Sequence, residues 1–301
     1  MKNKILISLI FFFFIPLKIK SQYTITNDIE IMKLKGNVKY LKEYKFQPII
    51  DTNGNVTIGN KINSGNNDVS FNENGQIIKQ RILKFDDTYY GILENKYDLK
   101  NRIIEKNETG GKKVTFKYDS INLNKEEIVL QDDKIYYKII FRFNKQNKLI
   151  EKKGIKYPSK ELNEQISYGY DNNGNLVSLN SIINTIFKTK YSYNNLNKLV
   201  EEISYNKDDR PSMKIEYYYD IKDNLISKKY FYDENLYLGF ISEFNENNDV
   251  IKETGYKYID QSKEFEYEYS YEYDKNNNWI KLIKFRNKVP TEILTRQIEY
   301  Y

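Results

Sequence analysis

Along most of the chain, polar and apolar residues alternate with a period of two. Phe265, Tyr267, Tyr269, Tyr271 and Tyr273 fall on one side, with Glu266, Glu268, Ser270, Glu272 and Asp274 on the other. Thr189, Tyr191 and Tyr193 repeat the pattern, as do Ile215, Tyr217 and Tyr219. Successive side chains of a strand point to opposite faces, so this period predicts strands, each with an aromatic and a polar face.

The strands are punctuated by a recurring octet: an aromatic, Asp or Asn, two variable residues, Gly/Asn/Asp, one variable residue and two apolar residues. Copies begin at Phe71, Tyr97, Phe143, Tyr170, Tyr193, Tyr219, Phe244 and Tyr273, with a degenerate copy at Tyr118 and an Ile-led copy at Ile50. Successive starts lie 21 to 29 residues apart. The fifth position holds Gly54, Gly75, Asn101, Asn122, Asn147, Gly174, Asn197, Asp223, Asn248 and Asn277. These residue types tolerate a positive φ. A type I turn that starts on Asx and ends on a left-handed residue, followed by a bulge, joins two antiparallel strands. The octet is therefore a hairpin turn. A lone hairpin is marginal in water, so neighbouring units must stack to be stable.

The expected fold is all-β: tandem antiparallel β-hairpin repeats forming a long curled sheet or an open β-solenoid. In this reading residues 1–22 are a signal peptide, 23–49 an N-terminal cap with the first strands, and 50–301 the repeats. The pair of strands Ile280–Arg286 and Thr291–Tyr300 forms a terminal capping hairpin, with Trp279, the single tryptophan, capping the stack.

Composition sharpens this picture. The chain has 29 Tyr, 16 Phe, no Cys and no His, and it lacks Ala. Many aromatics exclude a disordered chain, and the missing Ala disfavours helices. Lys2 and Lys4 precede an apolar run from Ile5 to Leu17, which is the form of a secretory signal and is too short for a membrane helix. Cleavage is expected after Ser21 or Gln22. The four lysines of this segment account for most of the formal charge of +6, because without them 44 bases face 42 acids, a net of +2. Such a balance gives no footprint for nucleic acid. With no Cys there is no lipidation site and no disulfide. The expected location is the periplasm, the cell surface or the medium, with no transmembrane segment in the mature chain.

Zinc, haem, iron–sulfur, Ser–His–Asp and Cys–His chemistry all need residues that are missing, and no Walker or dinucleotide loop occurs. Asp171, Asn173 and Asn175, and likewise Asp274, Asn276 and Asn278, match the start of a calcium loop. They lack its sixth-position Gly and twelfth-position Glu, having Leu176 and Trp279, then Ile182 and Phe285. The turn reading explains every copy. No catalytic, cofactor or metal residue is assigned and no enzyme is expected, although paired carboxylates remain open by composition.

The octets YDNNGNLV at Tyr170 and YDIKDNLI at Tyr219 resemble the YD-repeat group, the short repeats also found in Rhs proteins. The resemblance runs from about Ile50 to Ile280. Leu34–Phe46 and Asn277–Tyr301 are similar to the opening and the terminal unit of small exported bacterial proteins of this kind. Glycine-richer MORN-type repeats are a weaker likeness, since their G-x-G pattern is missing. The resemblance implies repeat architecture and no activity. Large Rhs proteins enclose a C-terminal toxin released at a Pro/Asp/Gly-rich motif that this chain lacks, so toxin carriage is not expected. The expected role is that of an exported structural or protein-interaction module of the cell envelope, whose partner is unknown, a protein or a glycan. The alternative is a carbohydrate- or peptidoglycan-binding module using exposed Tyr residues.

Overall fold

A computed structural model describes residues 27–182, 187–233, 235–258 and 262–301. Residues 1–22, read from the sequence as a signal peptide, lie outside the described residues. In chain order the elements are α1 (Asp28–Ile31), β1 (Val38–Ile50), β2 (Val56–Lys61), β3 (Asn66–Phe71), β4 (Ile77–Leu83), β5 (Tyr89–Tyr97), β6 (Ile103–Glu108) and β7 (Lys112–Asp119). Then come β8 (Asn124–Gln131), β9 (Lys134–Phe143), β10 (Leu149–Lys156), β11 (Glu161–Tyr170), β12 (Leu176–Ser181), β13 (Phe187–Tyr193) and β14 (Leu199–Tyr205). The last are β15 (Pro211–Tyr219), β16 (Leu225–Tyr232), β17 (Asn235–Phe244), β18 (Val250–Lys257), β19 (Ser262–Tyr273), β20 (Trp279–Arg286) and β21 (Val289–Tyr300).

Nine of the ten octet turns have the expected chemistry. At Tyr193, for example, the Asn194 N–H donates to Lys198 O at 3.0 Å, and the Asn197 N–H donates to Asn194 O at 2.9 Å. The Asn194 side chain accepts from the N–H groups of Leu196 and Lys198. The same pattern is built on Asp51, Asn72, Asp98, Asn144, Asp220, Asn245 and Asp274. The fifth residue has a positive φ in nine of the ten copies. In the degenerate copy it is Leu123, at φ 52°, and not Asn122.

The repeats do not form an open solenoid or a long curled sheet. They close into an all-β antiparallel barrel. From β3 to β21 each strand pairs with the next, and β21 then pairs along β1 from Val38 opposite Tyr300 to Phe46 opposite Ile293. The other edge of β1 pairs with β3 at Tyr40–Glu43, and farther along with β2. The closed ring is β1 followed by β3 to β21, with β2 a spur in line with β3 along the same edge of β1. Twenty alternating strands meet antiparallel at the seam because the number is even. The period-2 pattern is identical in an open and a closed sheet. Closure comes from twist accumulated over the whole ring, which removes both edges.

Two further corrections come with the ring. The hairpin of β20 and β21 is not an end cap, because β21 is hydrogen-bonded on both sides. Trp279 stands within the wall, with the Arg296 guanidinium 3.3 Å above its ring centre. Nine octet turns share one rim, whereas the Ile50 octet ends β1, which runs opposite to β3 and β21, and so lies at the other rim.

The segment around α1 bridges the seam on the nine-turn rim. Ile29 N–H donates to Gly75 O of the first turn there, and Lys35 N–H donates to Asn278 Oδ1 of the last. Ile29 and Leu34 pack with Val38, Leu41, Val69 and Phe71 into the best-buried cluster of the molecule.

Candidate functional site: the inner wall

Following cross-strand partners around the ring separates two faces. Leu41, Val69, Val114, Phe116, Phe141, Thr189 and Ile215 lie on one face, which holds most of the strand residues that are buried, and this face lines the interior. At twenty strands the ring exceeds the sixteen to eighteen at which barrels keep a channel, so side chains alone do not fill its interior.

The inner wall between β13 and β21 is aromatic with interspersed charges. Tyr217 Oη donates to Glu202 Oε2 at 3.0 Å. Tyr230 and Phe240 meet edge to face at 5.6 Å, Phe240 lies 5.6 Å from Phe265, and Phe265 lies 4.9 Å from Tyr267. The Phe265 ring reaches Phe240 across the intervening strand because that strand presents Gly255, where a Cβ would sit 2.5 Å from the ring. Lys228 Nζ lies 5.6 Å from the Tyr217 ring centre, and Lys284 Nζ lies 4.1 Å from that of Tyr267. Burial raises the carboxyl pKa of Glu202 and of Glu253 and lowers the ammonium pKa of Lys228. Farther round, Arg296 Nε donates to Glu43 Oε2 at 2.9 Å across the seam.

A second set of tyrosines has a structural role. Tyr97 Oη donates to Ile77 O, Tyr118 to Ile103 O, Tyr170 to Leu149 O and Tyr193 to Leu176 O, at 2.7–2.9 Å. Each acceptor is the seventh residue of the preceding octet, just past its bulge. The leading hydroxyl of one repeat thus staples the backbone of its neighbour. Phe71, which leads the first turn on this rim, has no such neighbour before it, and its own carbonyl accepts from Tyr301 Oη at 2.7 Å.

The outer face is charged along most of the ring. Lys79 pairs with Glu94, Lys96 and Lys113 with Glu105, Lys138 with Glu126, Arg142 with Glu151, and Lys252 with Glu266, at 2.8–3.3 Å.

The residues considered for calcium sit in the turns. Asp171 Oδ1 and Oδ2 both accept from Asn175, through its backbone and its side chain. Asp274 Oδ1 accepts from the N–H groups of Asn276 and Asn278. Among the described residues no cluster of three or more His, Cys, Asp or Glu is placed to hold a metal. Between the Tyr170 and Tyr193 turns lies a polar cleft of about 300 Å³, lined by Asp171, Asn173, Asn175 and Asn197 among others.

No family model matches the sequence, and no curated protein matches it. Solved structures do align. A crystal structure of TcdB2-TccC3-Cdc42 aligns over 80% of this chain at 13% identity and a TM-score of 0.36. The Photorhabdus luminescens Tc holotoxin pore aligns over 80% at 12% identity and a TM-score of 0.35. This chain spans only 16% of the length of either. A porin-like protein from Bacteroides uniformis aligns over 88% of this chain and 99% of its own at 10% identity and a TM-score of 0.38.

Sequence reasoning missed the carboxylates and lysines of the inner wall. Glu202, Lys228, Glu253 and Lys284 look like ordinary strand polar residues until cross-strand registration puts them beside tyrosines. The signal was there in part: Glu202 follows Glu201 and Lys228 precedes Lys229, so in each pair one charge must point inward.

Proposed function

We propose that the chain is an exported barrel surrounded by water, acting as a structural or protein-interaction module of the cell envelope. The observation that carries this reading is the charged outer face. A membrane barrel needs an outward apolar band about 25 Å tall, and a Lys or Arg at mid-membrane costs about 2–4 kcal/mol. Here ion pairs occupy the outer face of strand after strand. Several strands are also short for a bilayer: β3, β6 and β12 have 6 residues each, against the roughly 9–11 needed. The apolar segment Ile5–Leu17 supports export.

The module is non-catalytic in this reading. Glu202 and Glu253 stand four strands apart, about 19 Å at ~4.8 Å per strand, whereas paired-acid hydrolysis uses about 5–9.5 Å. Cell fractionation with mass spectrometry of the N-terminus tests the proposal. The expected product begins near Tyr23 and leaves the envelope in salt or urea without detergent. A product that retains Met1 in the cytosol, or one extracted only by detergent, overturns it.

A further inference from the structure

We infer that the inner wall across β14 to β20 is a binding site for a neutral oligosaccharide segment. This goes beyond the structural reading of the barrel and rests on the geometry of the wall.

Tyr230, Phe240, Phe265 and Tyr267 form a chain of rings in contact on one face, spanning β16 to β19. All four are half-buried, so each keeps ring surface facing the interior. Gly255 carries the chain through β18: with any side chain there, Phe265 could not lie against Phe240. The wall gives up the packing of one strand position to keep the platform continuous. Aromatic faces stack on the C–H faces of sugar rings, and their polar tips reach the hydroxyls.

Hydrogen-bonding groups flank the platform on the same face. Glu253 has Lys228 and Lys284 in its electrostatic surroundings, and none of its described hydrogen bonds uses the carboxylate as an acceptor. A half-buried carboxylate with free acceptor capacity calls for donors from outside. Glu202 accepts a single bond from Tyr217. Glu202, Lys228, Glu253 and Lys284 alternate along the stripe, and Arg286, opposite Tyr267 at its edge, adds one further positive charge, so the stripe is nearly balanced. That balance disfavours a polycationic or polyanionic ligand and suits a chain of hydroxyls that both donate and accept.

The test uses the mature chain and a panel of hexasaccharides: cellohexaose, maltohexaose and chitohexaose, with tetralysine as a charged comparison, by titration calorimetry. At least one hexasaccharide should bind saturably. Glu253→Gln, which keeps the shape of the side chain, should weaken that binding at least tenfold while leaving the melting temperature unchanged. Phe265→Leu should also weaken it, and Ser270→Ala on the outer face should not. No binding of any hexasaccharide at millimolar concentration, binding of tetralysine alone, or saccharide binding indifferent to both inner-wall changes would overturn the inference. None of these outcomes bears on export or on the charged outer face.

Discussion

At the scale of single residues, the octet is two kinds of bond. One is the Asx side chain that accepts from two backbone N–H groups in the turn. Asn194→Ala removes both and should cost about 1 kcal/mol of stability, whereas Asn194→Asp, the residue found in other copies, should be tolerated. The second is the staple. Tyr170→Phe and Tyr193→Phe each orphan a carbonyl on the neighbouring repeat and should cost about 1 kcal/mol, measured by urea unfolding. Tyr219→Phe, whose hydroxyl makes no such bond, should be nearly neutral. Burial also pushes Tyr97, Tyr168 and Tyr170 up to about 12. A spectrophotometric titration should therefore show a late group of tyrosines that ionise only with unfolding. The turn carboxylates set the acid limit. Asn224 side-chain bonding holds Asp220 below its ordinary range, and backbone bonds from Asn55 and Asn122 do the same for Asp51 and Asp119. A depressed folded pKa contributes stability above the unfolded value, and that contribution is lost as pH falls through the folded one. The melting temperature should drop below pH 4, and high salt should not abolish the drop, because the bonds are local.

At the scale of the hairpin, the local rules were legible and their limits are instructive. A left-handed fifth residue after Asx could be read from composition because few residue types adopt that backbone. The octet pattern nevertheless leaves out Tyr205–Ser212. There the Asn206 N–H donates to Arg210 O, the Asp209 N–H donates to Asn206 O, and Asp209 has a φ of 58°. The turn is the same device on the opposite rim. It was hidden because Pro211 and Ser212 replace the apolar pair, a pair that serves strand packing and is not required by the turn. Asn206→Ala should thus destabilise about as much as Asn194→Ala. An Asn206→Ala variant with unchanged unfolding would show that the second bond set is idle. The inner-wall platform was less legible. It depends on which of two adjacent polar residues points inward, and on Gly255 leaving room for the rings of the strands on either side of it to meet, both of which are fixed only by pairing.

At the scale of the molecule, the decisive contact joins residues about 250 positions apart, and no local pattern encodes it. Glu43 and Arg296 are opposite one another across the seam, the salt bridge is mostly buried, and the guanidinium lies on Trp279. Burial lowers the Arg296 pKa even though Glu43 opposes the shift, so the charge is held at a desolvation cost. Removing one partner of such a pair leaves the other charged and unpaired, which costs about 3 kcal/mol, while replacing both with apolar residues costs much less. Glu43→Leu and Arg296→Leu should each lower the melting temperature sharply, and the double variant should recover most of the loss. A closed ring adds a second expectation that an open sheet does not. With β1 and β21 paired to each other, their amides should exchange as slowly as those of β9 and β10 on the far side of the ring. In a single Glu43→Leu chain, protection should fall first at Tyr40–Phe46 and Ile293–Glu299, because the seam then opens before the rest of the wall. Uniform loss of protection around the ring would mean that closure and hairpin stacking are one cooperative event. Fast exchange at the seam in the unmodified chain would mean that the ring does not close in solution.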